Sequence, residues 1–238
     1  MKKLFNIILM AAAVASASSC VFVRVNPNDF NGVKSSEFVI GSDNSETNTF
    51  TVPQFVGIDS SVPADIDYYM TDGEPTIKVT APDNILAKLK FDVENGILKV
   101  YFEDGNQRIN VGSKGIKVIA SSSTLESLSI RGAGDFDADY LKCSGFNVEV
   151  SGAGDITLGS VICGDLSIAV RGAGDIDVDG LECRNVRVDV AGAGDVVLAG
   201  KAESANLSIR GAGDIDARRL DCSDITSNVS GMGSIRRK

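Results

Sequence analysis

Apolar side chains occupy every second position through much of the C-terminal half of the chain, and the pattern recurs about every 20 residues. The alternation surrounds a short glycine-containing tetrapeptide. Two positions before its first glycine, the recurring apolar residues are Ile130, Val150, Val170, Val190, Ile209 and Val229. A period of two predicts β-strands with one buried face, because successive side chains of a strand point to opposite sides.

The tetrapeptide is Gly-Ala-Gly-Asp. It begins at residues 132, 152, 172, 192 and 211, and a degraded copy, Gly-Met-Gly-Ser, follows at 231–234. A fixed period of this length is typical of solenoids, in which each repeat packs only on its neighbours. About 20 residues hold two short strands and their turns, but no crossover helix. We therefore predict an all-β fold, a parallel β-helix in which the apolar columns form the core.

The glycines predict a sharp corner in every coil, since glycine adopts positive φ without a steric penalty. The aspartate that follows is suited to accepting nearby backbone N–H groups in an Asx turn. A calcium ladder is the alternative, because the motif faintly resembles the nonapeptide of calcium-binding β-rolls. The predicted corner residues are Gly132, Gly134, Asp135, Gly152, Gly154, Asp155, Gly172, Gly174, Asp175, Gly192, Gly194, Asp195, Gly211, Gly213 and Asp214.

Charged residues mark alternate coils. An arginine precedes the first, third and fifth motifs, and an aspartate follows the same three. These residues are Arg131, Arg171 and Arg210, with Asp137, Asp177 and Asp216. The pattern favours a solvated charged face on which arginine and aspartate of one coil pair across the corner. The functional alternative is an arginine/aspartate comb that recognises a repeating polymer.

The first 20 residues have the features of a targeting segment: Lys2 and Lys3, an apolar run, and small residues that end at Cys20. This resembles a bacterial lipoprotein signal, and it predicts that Cys20 is lipidated and tethers the protein to a membrane. Plain secretory cleavage nearby is the alternative. Residues 21–49, rich in Asn, Ser, Asp and Thr, are predicted to form a flexible linker.

Residues 50–125 predict a non-repetitive β region, and residues 126–238 form the Gly-Ala-Gly-Asp coils. Predicted strands cover 50–58, 66–70, 76–80, 91–93, 97–102 and 116–120, and residues 85–89 predict a short helix. Asn95-Gly96 lies between two strand signals, which predicts a hairpin. We expect this region to supply irregular first coils and an N-terminal cap, because exposed strand edges invite aggregation.

The composition limits the chemistry. The chain has 32 acidic against 23 basic residues, a formal net charge of −9, which argues against nucleic acid as a partner. It contains no histidine, so histidine-dependent triads and metal sites are excluded. A carbohydrate-active enzyme that uses aspartates stays possible. The recurrence of the motif aspartate in every coil favours structure, because a catalytic residue is needed only once.

Four further cysteines, Cys143, Cys163, Cys183 and Cys222, each follow a motif glycine by eleven residues and so form a column. Cys183 and Cys222 are two coils apart, near 10 Å, which is outside disulfide reach. Buried thiols are one interpretation. One disulfide between neighbours among Cys143, Cys163 and Cys183 is a second, and a metal site without histidine is a third.

The sequence resembles one known family over about residues 50–238. The resemblance rests on Val56-Gly57-Ile58-Asp59 to Ala64-Asp65-Ile66-Asp67, on 77–82 and on 93–100, followed by the Gly-Ala-Gly-Asp repeats. The family is described as "putative auto-transporter adhesin, head GIN domain". The resemblance implies a right-handed β-helix in the cell envelope, often as a lipoprotein, and it supplies no catalytic residues.

From these features we expect a non-enzymatic outer-membrane lipoprotein, with the periplasmic side slightly favoured over the cell surface. It is expected to act as an adhesin or scaffold that binds glycans or proteins through a face of the β-helix. No cofactor, metal or catalytic residue is predicted, and the sequence does not indicate the oligomeric state. The alternative function is the carbohydrate-active β-helix enzyme.

Overall fold

The computed structural model describes residues 38–103 and 108–238, so the predicted signal segment, Cys20 and residues 21–37 lie outside the described residues. The first elements are β1 (Phe38–Ile40), β2 (Ser45–Thr51), β3 (Gly57–Ser60), β4 (Asp65–Met70), β5 (Thr76–Pro82), α1 (Asp83–Leu86), β6 (Leu89–Glu94), β7 (Ile97–Phe102), β8 (Arg108–Asn110) and β9 (Lys117–Ser122). The repeat region contains β10 (Ser127–Ile130), β11 (Phe136–Lys142), β12 (Gly145–Val150), β13 (Ile156–Ile162), β14 (Asp165–Val170), β15 (Ile176–Val190), β16 (Val196–Ile209), β17 (Ile215–Val229) and β18 (Ile235–Arg237).

The repeats form a parallel β-solenoid of about six turns, as predicted. Each motif joins a strand that precedes it to a strand that follows it. The preceding strands are β10, β12, β14 and the second halves of β15, β16 and β17, and they stack in register. The following strands stack in the same way from β11 to β18. We call these two stacks the preceding sheet and the following sheet.

The predicted apolar columns lie between the two sheets. Val148, Ile168, Val188 and Leu207 form one fully buried column, and the outward residues between such columns are polar or charged. Burial of each aliphatic side chain stabilises the fold by about 1.5–3 kcal/mol, so these columns are the main stabilising contribution. In the last described coil Val229 is 44% exposed, because only one neighbouring coil covers it within the described residues.

The spatial order of the coils differs from their order in the sequence. β3 and β4 lie between β7 and β9 on one side and β10 and β11 on the other. The coil of residues 57–70 therefore stacks directly on the first motif coil, although residues 71–126 separate them in the chain. Residues 62–65, Val-Pro-Ala-Asp, occupy the motif corner of this coil. The irregular first coils expected within 50–125 thus include 57–70, which lies next to the first motif coil.

Antiparallel strands cover the other end of the solenoid. β5 pairs with β9 and β2 pairs with β5, while β6 pairs with β7. The predicted hairpin between β6 and β7 is confirmed, and Asn95 and Gly96 have φ angles of 52° and 76°. These left-handed values fit a type I′ turn, whose twist matches that of the flanking strands.

Three element boundaries predicted from the sequence differ from those in the structure. The sequence places residues 38–49 in the linker, whereas β1 pairs with β8 and β2 pairs with β5 within that segment. The single strand predicted for 50–58 is two strands, because Pro53 stands between β2 and β3 and cannot donate to a ladder. The helix covers Asp83–Leu86 rather than 85–89.

Candidate functional site

The motif glycines lie where successive corners approach most closely. A Cβ on Gly152 would fall 1.8 Å from the carbonyl oxygen of Gly132, and one on Gly172 would fall 1.8 Å from that of Gly152. In the described residues the glycines with positive φ are Gly96, Gly112, Gly115 and Gly200, none of which belongs to a motif. The positive-φ explanation is therefore wrong. Glycine is required because a Cβ would collide with the backbone of the preceding coil.

Backbone hydrogen bonds account for this close approach. The Ala153 N–H donates to the Gly132 carbonyl at 3.1 Å, and the Ala173 N–H donates to the Gly152 carbonyl at 3.0 Å. The same bond recurs at the later motifs. The alanine side chains point outward, and in the degraded copy Met232 takes this place with 90% of its surface exposed.

The motif aspartates form a hydrogen-bonded column along the solenoid. Oδ1 of Asp155 accepts from the backbone N–H of Asp175 at 2.8 Å, and Oδ1 of Asp175 accepts from that of Asp195 at 2.7 Å. The carboxylate therefore bonds the next coil rather than closing the predicted Asx turn in its own coil. Among the described residues no group of three or more Cys, Asp or Glu side chains is arranged to hold a metal ion.

The column begins with an aspartate of the 57–70 coil and ends at a serine. At its start, Asp65 accepts from the Asp135 N–H at 3.2 Å. At its end, Ser234 replaces aspartate and donates both its N–H (2.7 Å) and its hydroxyl (3.1 Å) to Asp214. These bonds, with Arg236 nearby, lower the pKa of Asp214. A serine at this position gives the Asp214 carboxylate a second donor, its hydroxyl, besides the backbone N–H.

The motif arginines pair with acids of the preceding coil. Arg131 contacts Asp59 at 2.7 Å, Arg210 contacts Asp189 at 2.6 Å, and Arg171 contacts Glu149. The predicted pairing across the corner with Asp137, Asp177 and Asp216 is thus wrong. Instead, Asp216 binds Arg218 and Asp177 lies 3.8 Å from Arg219. The arginine side chains of these pairs are 53–60% exposed, so solvent screens the pairs and each contributes little to stability.

The predicted cysteine column lies at the other bend of the coils, and all four thiols are free. A hydrogen bond to Cys163, together with burial, raises the pKa of Cys143. For Cys163, the bond with Cys143 lowers the pKa, but the bond with Cys183 and burial outweigh it and raise the pKa to about 12. The bond from Cys163 lowers the pKa of Cys183. Cys222 instead donates to the carbonyl of Asp224 at 3.4 Å.

A depression in the outer surface of the following sheet is lined by Tyr68, Tyr69, Met70, Asp139 and Tyr140. Tyr69 and Tyr140 are exposed by 48% and 45%, on a face whose other outward residues are mostly small, polar or charged. Tyr68 is fully buried beneath them. We call the group formed by Tyr69, Met70, Asp139 and Tyr140 the tyrosine patch.

The depression arises because two neighbouring strands separate. β4 and β11 are paired at Ile66 with Phe136 and at Asp67 with Asp137, and their regular register ends there. β4 continues along β9 as far as Met70, while β11 continues along β13 to its own end. The seam between the inserted coil and the first repeat therefore opens beneath the two exposed rings.

Tyr68 holds the floor of this opening in place. Its hydroxyl bonds Ser122 Oγ at 2.9 Å, and its ring stacks on Phe136 with centroids 6.4 Å apart. Burial is the largest cause that raises the pKa of Tyr68, so the phenol stays neutral and keeps this bond. The rings above thus sit on a rigid base.

Sequence reasoning missed the tyrosine patch. Tyr69 lies in the non-repetitive region and Tyr140 in the first repeat, and neither belongs to the conspicuous motif columns. Only the insertion of the 57–70 coil next to the first motif coil brings them together. The sequence did contain one signal for this coil at 62–65. Asp65 precedes Ile66, just as each motif aspartate precedes an apolar residue.

A family model matches residues 54–237, which is most of the chain. The chain belongs to the family described as "Putative auto-transporter adhesin, head GIN domain". This confirms the resemblance drawn from the sequence and supports an adhesin-like role at the cell envelope or surface for this head GIN protein. No curated protein matches the chain. Within the described residues, no helix has the length and apolar character needed to cross a membrane.

Solved structures with the same fold support the architecture. A putative adhesin from Parabacteroides distasonis is 21% identical with a TM-score of 0.78, and the match covers 84% of each chain. A putative adhesin from Bacteroides fragilis is 23% identical with a TM-score of 0.69, covering 84% of this chain and all of the other. A protein from Parabacteroides distasonis described as a putative lipid binding protein is 22% identical, with a TM-score of 0.58 and coverage of 85% and 100%. At sequence identities this low, the similarity shows that the proteins share a fold.

Proposed function

We propose that this head GIN protein is a non-enzymatic envelope lipoprotein that binds glycans through the tyrosine patch. The observation that carries the proposal is the pair of exposed rings, Tyr69 and Tyr140, over an opened seam between two strands. Exposed aromatic clusters on an otherwise polar surface mark sites of interaction. Tyrosine supplies a flat apolar ring together with a polar hydroxyl, which suits a ligand that is apolar on one face and polar at its rim.

A sugar ring has these properties. Its C–H face packs on an aromatic ring, while its hydroxyls need hydrogen-bond partners. The Asp139 carboxylate at the edge of the patch accepts such bonds. Apolar rings with a few polar groups nearby are the usual composition of small-ligand sites.

The arrangement of the motif aspartates supports a binding role over the enzymatic alternative. Each carboxylate oxygen Oδ1 is already used as an acceptor for the next coil. Glycoside hydrolysis needs two carboxyl groups with different environments on either side of the scissile bond. A column of equivalent, hydrogen-bonded aspartates does not provide that difference. Incubation with a polysaccharide panel is expected to release no new reducing ends.

Membrane attachment belongs to the same proposal and rests on the sequence before Cys20. Lipid at Cys20 would tether the solenoid to a membrane. The periplasmic side of the outer membrane is the proposed location.

A glycan array with the purified chain, followed by titration calorimetry on the strongest ligand, tests the binding proposal. The double variant Tyr69→Ser/Tyr140→Ser is expected to lose binding at least tenfold, while its circular dichroism and unfolding midpoint stay close to wild type. Met232→Ser is the matched control, because it removes an exposed apolar side chain from a different coil.

Two outcomes would contradict the proposal. Wild-type affinity in the double variant would remove the tyrosine patch from the site. Binding that is confined to peptides, with no glycan above background, would replace the glycan by a protein ligand.

A further inference from the structure

Three thiols stand in consecutive coils of the solenoid: Cys143, Cys163 and Cys183, which we call the cysteine column. The strands on both sides of the column are paired in register from one coil to the next. Backbone bonds fix the bend itself, because the Cys143 N–H donates to the Ile162 carbonyl and the Gly164 N–H donates to the Ser144 carbonyl. Each cysteine is therefore held beside the next.

The coil spacing determines which thiols can join. Equivalent residues of neighbouring parallel coils lie about 4.8 Å apart, within the Cα separation of about 4.4–6.8 Å that a disulfide spans. Two coils separate residues by about twice that distance, which is too far. Cys163 therefore reaches both neighbours, while Cys143 and Cys183 do not reach each other. Ala202 occupies the column in the next coil and separates Cys183 from Cys222.

Local backbone structure permits the joining of coils here. At Cys143 and Cys163 the regular strand is interrupted, because β11 and β13 end one residue earlier and β12 and β14 begin two residues later. Their N–H groups still donate to the next coil, from Cys143 to the Ile162 carbonyl and from Cys163 to the Glu182 carbonyl, both at 3.1 Å.

We propose that the cysteine column is a thiol–disulfide site in which Cys163 forms one disulfide, with either Cys143 or Cys183, while the remaining cysteine stays a thiol. The oxidant is a low-molecular-weight disulfide such as oxidised glutathione. The Cys183 thiolate attacks it and releases one glutathione thiolate. Cys163, as its thiolate, then attacks the Cys183 sulfur of the mixed disulfide and releases the second. The two protons lost by the protein pass to the two glutathiones, so two thiols and one small disulfide give one protein disulfide and two small thiols.

The third thiol extends this chemistry. As its thiolate, Cys143 can attack Cys163 in the Cys163–Cys183 disulfide, form the alternative bond and release the Cys183 thiolate. This exchange needs no further oxidant or reductant. Either bond cross-links two adjacent coils near the middle of the solenoid, and it should raise resistance to denaturant by restricting the unfolded chain. An oxidising compartment, as expected for an envelope protein, would favour the oxidised form.

Mass spectrometry tests the site. The purified chain is incubated with excess oxidised glutathione, alkylated with N-ethylmaleimide, and measured intact and after proteolysis. A loss of two hydrogens is expected, with cross-linked peptides that contain Cys163 with Cys143 or with Cys183. The urea midpoint should rise on oxidation and return with dithiothreitol.

Alanine variants provide the controls, because Ala202 shows that this column accepts alanine. Cys163→Ala is expected to abolish the internal disulfide. Cys143→Ala and Cys183→Ala should each retain one disulfide with the other neighbour, and Cys222→Ala should behave as wild type. An unchanged mass in the wild type, or an internal disulfide in Cys163→Ala, would overturn the proposal.

Discussion

The carboxylate of Asp65 accepts a hydrogen bond from the backbone N–H of Asp135, although the two residues are 70 positions apart. The bond is the same as that between Asp155 and Asp175, which are 20 positions apart. The 57–70 coil is thus joined to the first repeat by the bond that joins one repeat to the next. This continuity places Tyr69 beside Tyr140 and so creates the tyrosine patch.

A Cβ at a motif glycine should destabilise the solenoid strongly. For Gly172→Ala the new carbon would lie 1.8 Å from the Gly152 carbonyl oxygen, so neighbouring coils must separate. We expect a loss at or above the upper end of the range of about 1–3 kcal/mol for overpacking. Urea unfolding of the variant and wild type measures this change.

The matched control for that experiment is Gly145→Ala. A Cβ on Gly145 would lie 3.5 Å from its nearest neighbour, the Asp165 carbonyl oxygen, which is an ordinary contact. Ser167→Val, on the outward side of β14, should also be nearly neutral. Equal midpoints for Gly172→Ala and Gly145→Ala would contradict the close-approach explanation for the motif.

The motif aspartate is predicted to act as a hydrogen-bond acceptor. Asp175→Asn keeps an amide oxygen for the Asp195 N–H, so it should cost little stability. Asp175→Ala removes the acceptor, and its expected cost is about 1 kcal/mol. Asp137→Ala, on the exposed face of the following sheet, is the control. A clear rise of the melting temperature of the wild type on addition of calcium would instead support the calcium ladder.

The protein should become less stable in acid because of two aspartates in the last described motif coils. Hydrogen bonds from Arg218 lower the pKa of Asp216 from its ordinary 3.8 to about 2, and those from Ser234 lower the pKa of Asp214. A carboxyl whose pKa is lower in the folded than in the unfolded state stabilises the fold, and this stabilisation is fully present above about pH 4. It is lost as the pH falls through about 2, because the unfolded chain then binds the proton more readily.

Urea midpoints at pH 7, 4, 3 and 2 measure that loss. Asp216→Asn should show a shallower decrease between pH 4 and 2 than wild type, because it removes the titrating carboxyl. Arg218→Ala should show a smaller part of this effect, since the backbone N–H of residue 218 still donates to Asp216 Oδ1 at 3.1 Å. The effect should be modest, because the Arg218 side chain is 60% exposed and solvent screens its pair with Asp216. A steeper decrease in either variant would rule out Asp216 as a source of the acid sensitivity.

Cys20 is predicted to carry the lipid anchor. Expression of the full chain in a Gram-negative host should place the wild type in the membrane fraction, with an acyl mass on the N-terminal peptide. Cys20→Ala should move the protein to the soluble envelope fraction. Membrane association that is unchanged in the variant, with no acyl mass on the wild type, would favour plain secretory cleavage.

Local pattern was sufficient for much of this fold. The alternation of apolar and polar residues predicted which side chains are buried, since period-two burial is a property of a single strand. The 20-residue period predicted stacking in register, and Asn95-Gly96 predicted its hairpin. The cysteine column followed from the same period.

Tertiary structure alone decided how the coils are ordered and what the motif does. Gly132 must be glycine because it stacks on the corner at Val62. The coil on the other side of Val62 contains no motif, and Val62 keeps a buried side chain there. The 57–70 segment therefore lacks the motif by which the sequence would have identified it as a coil of the solenoid. The partners of Asp65 and of Tyr69 depend on this long-range strand order, and a repeat period does not specify the position of a coil that lies outside the repeat.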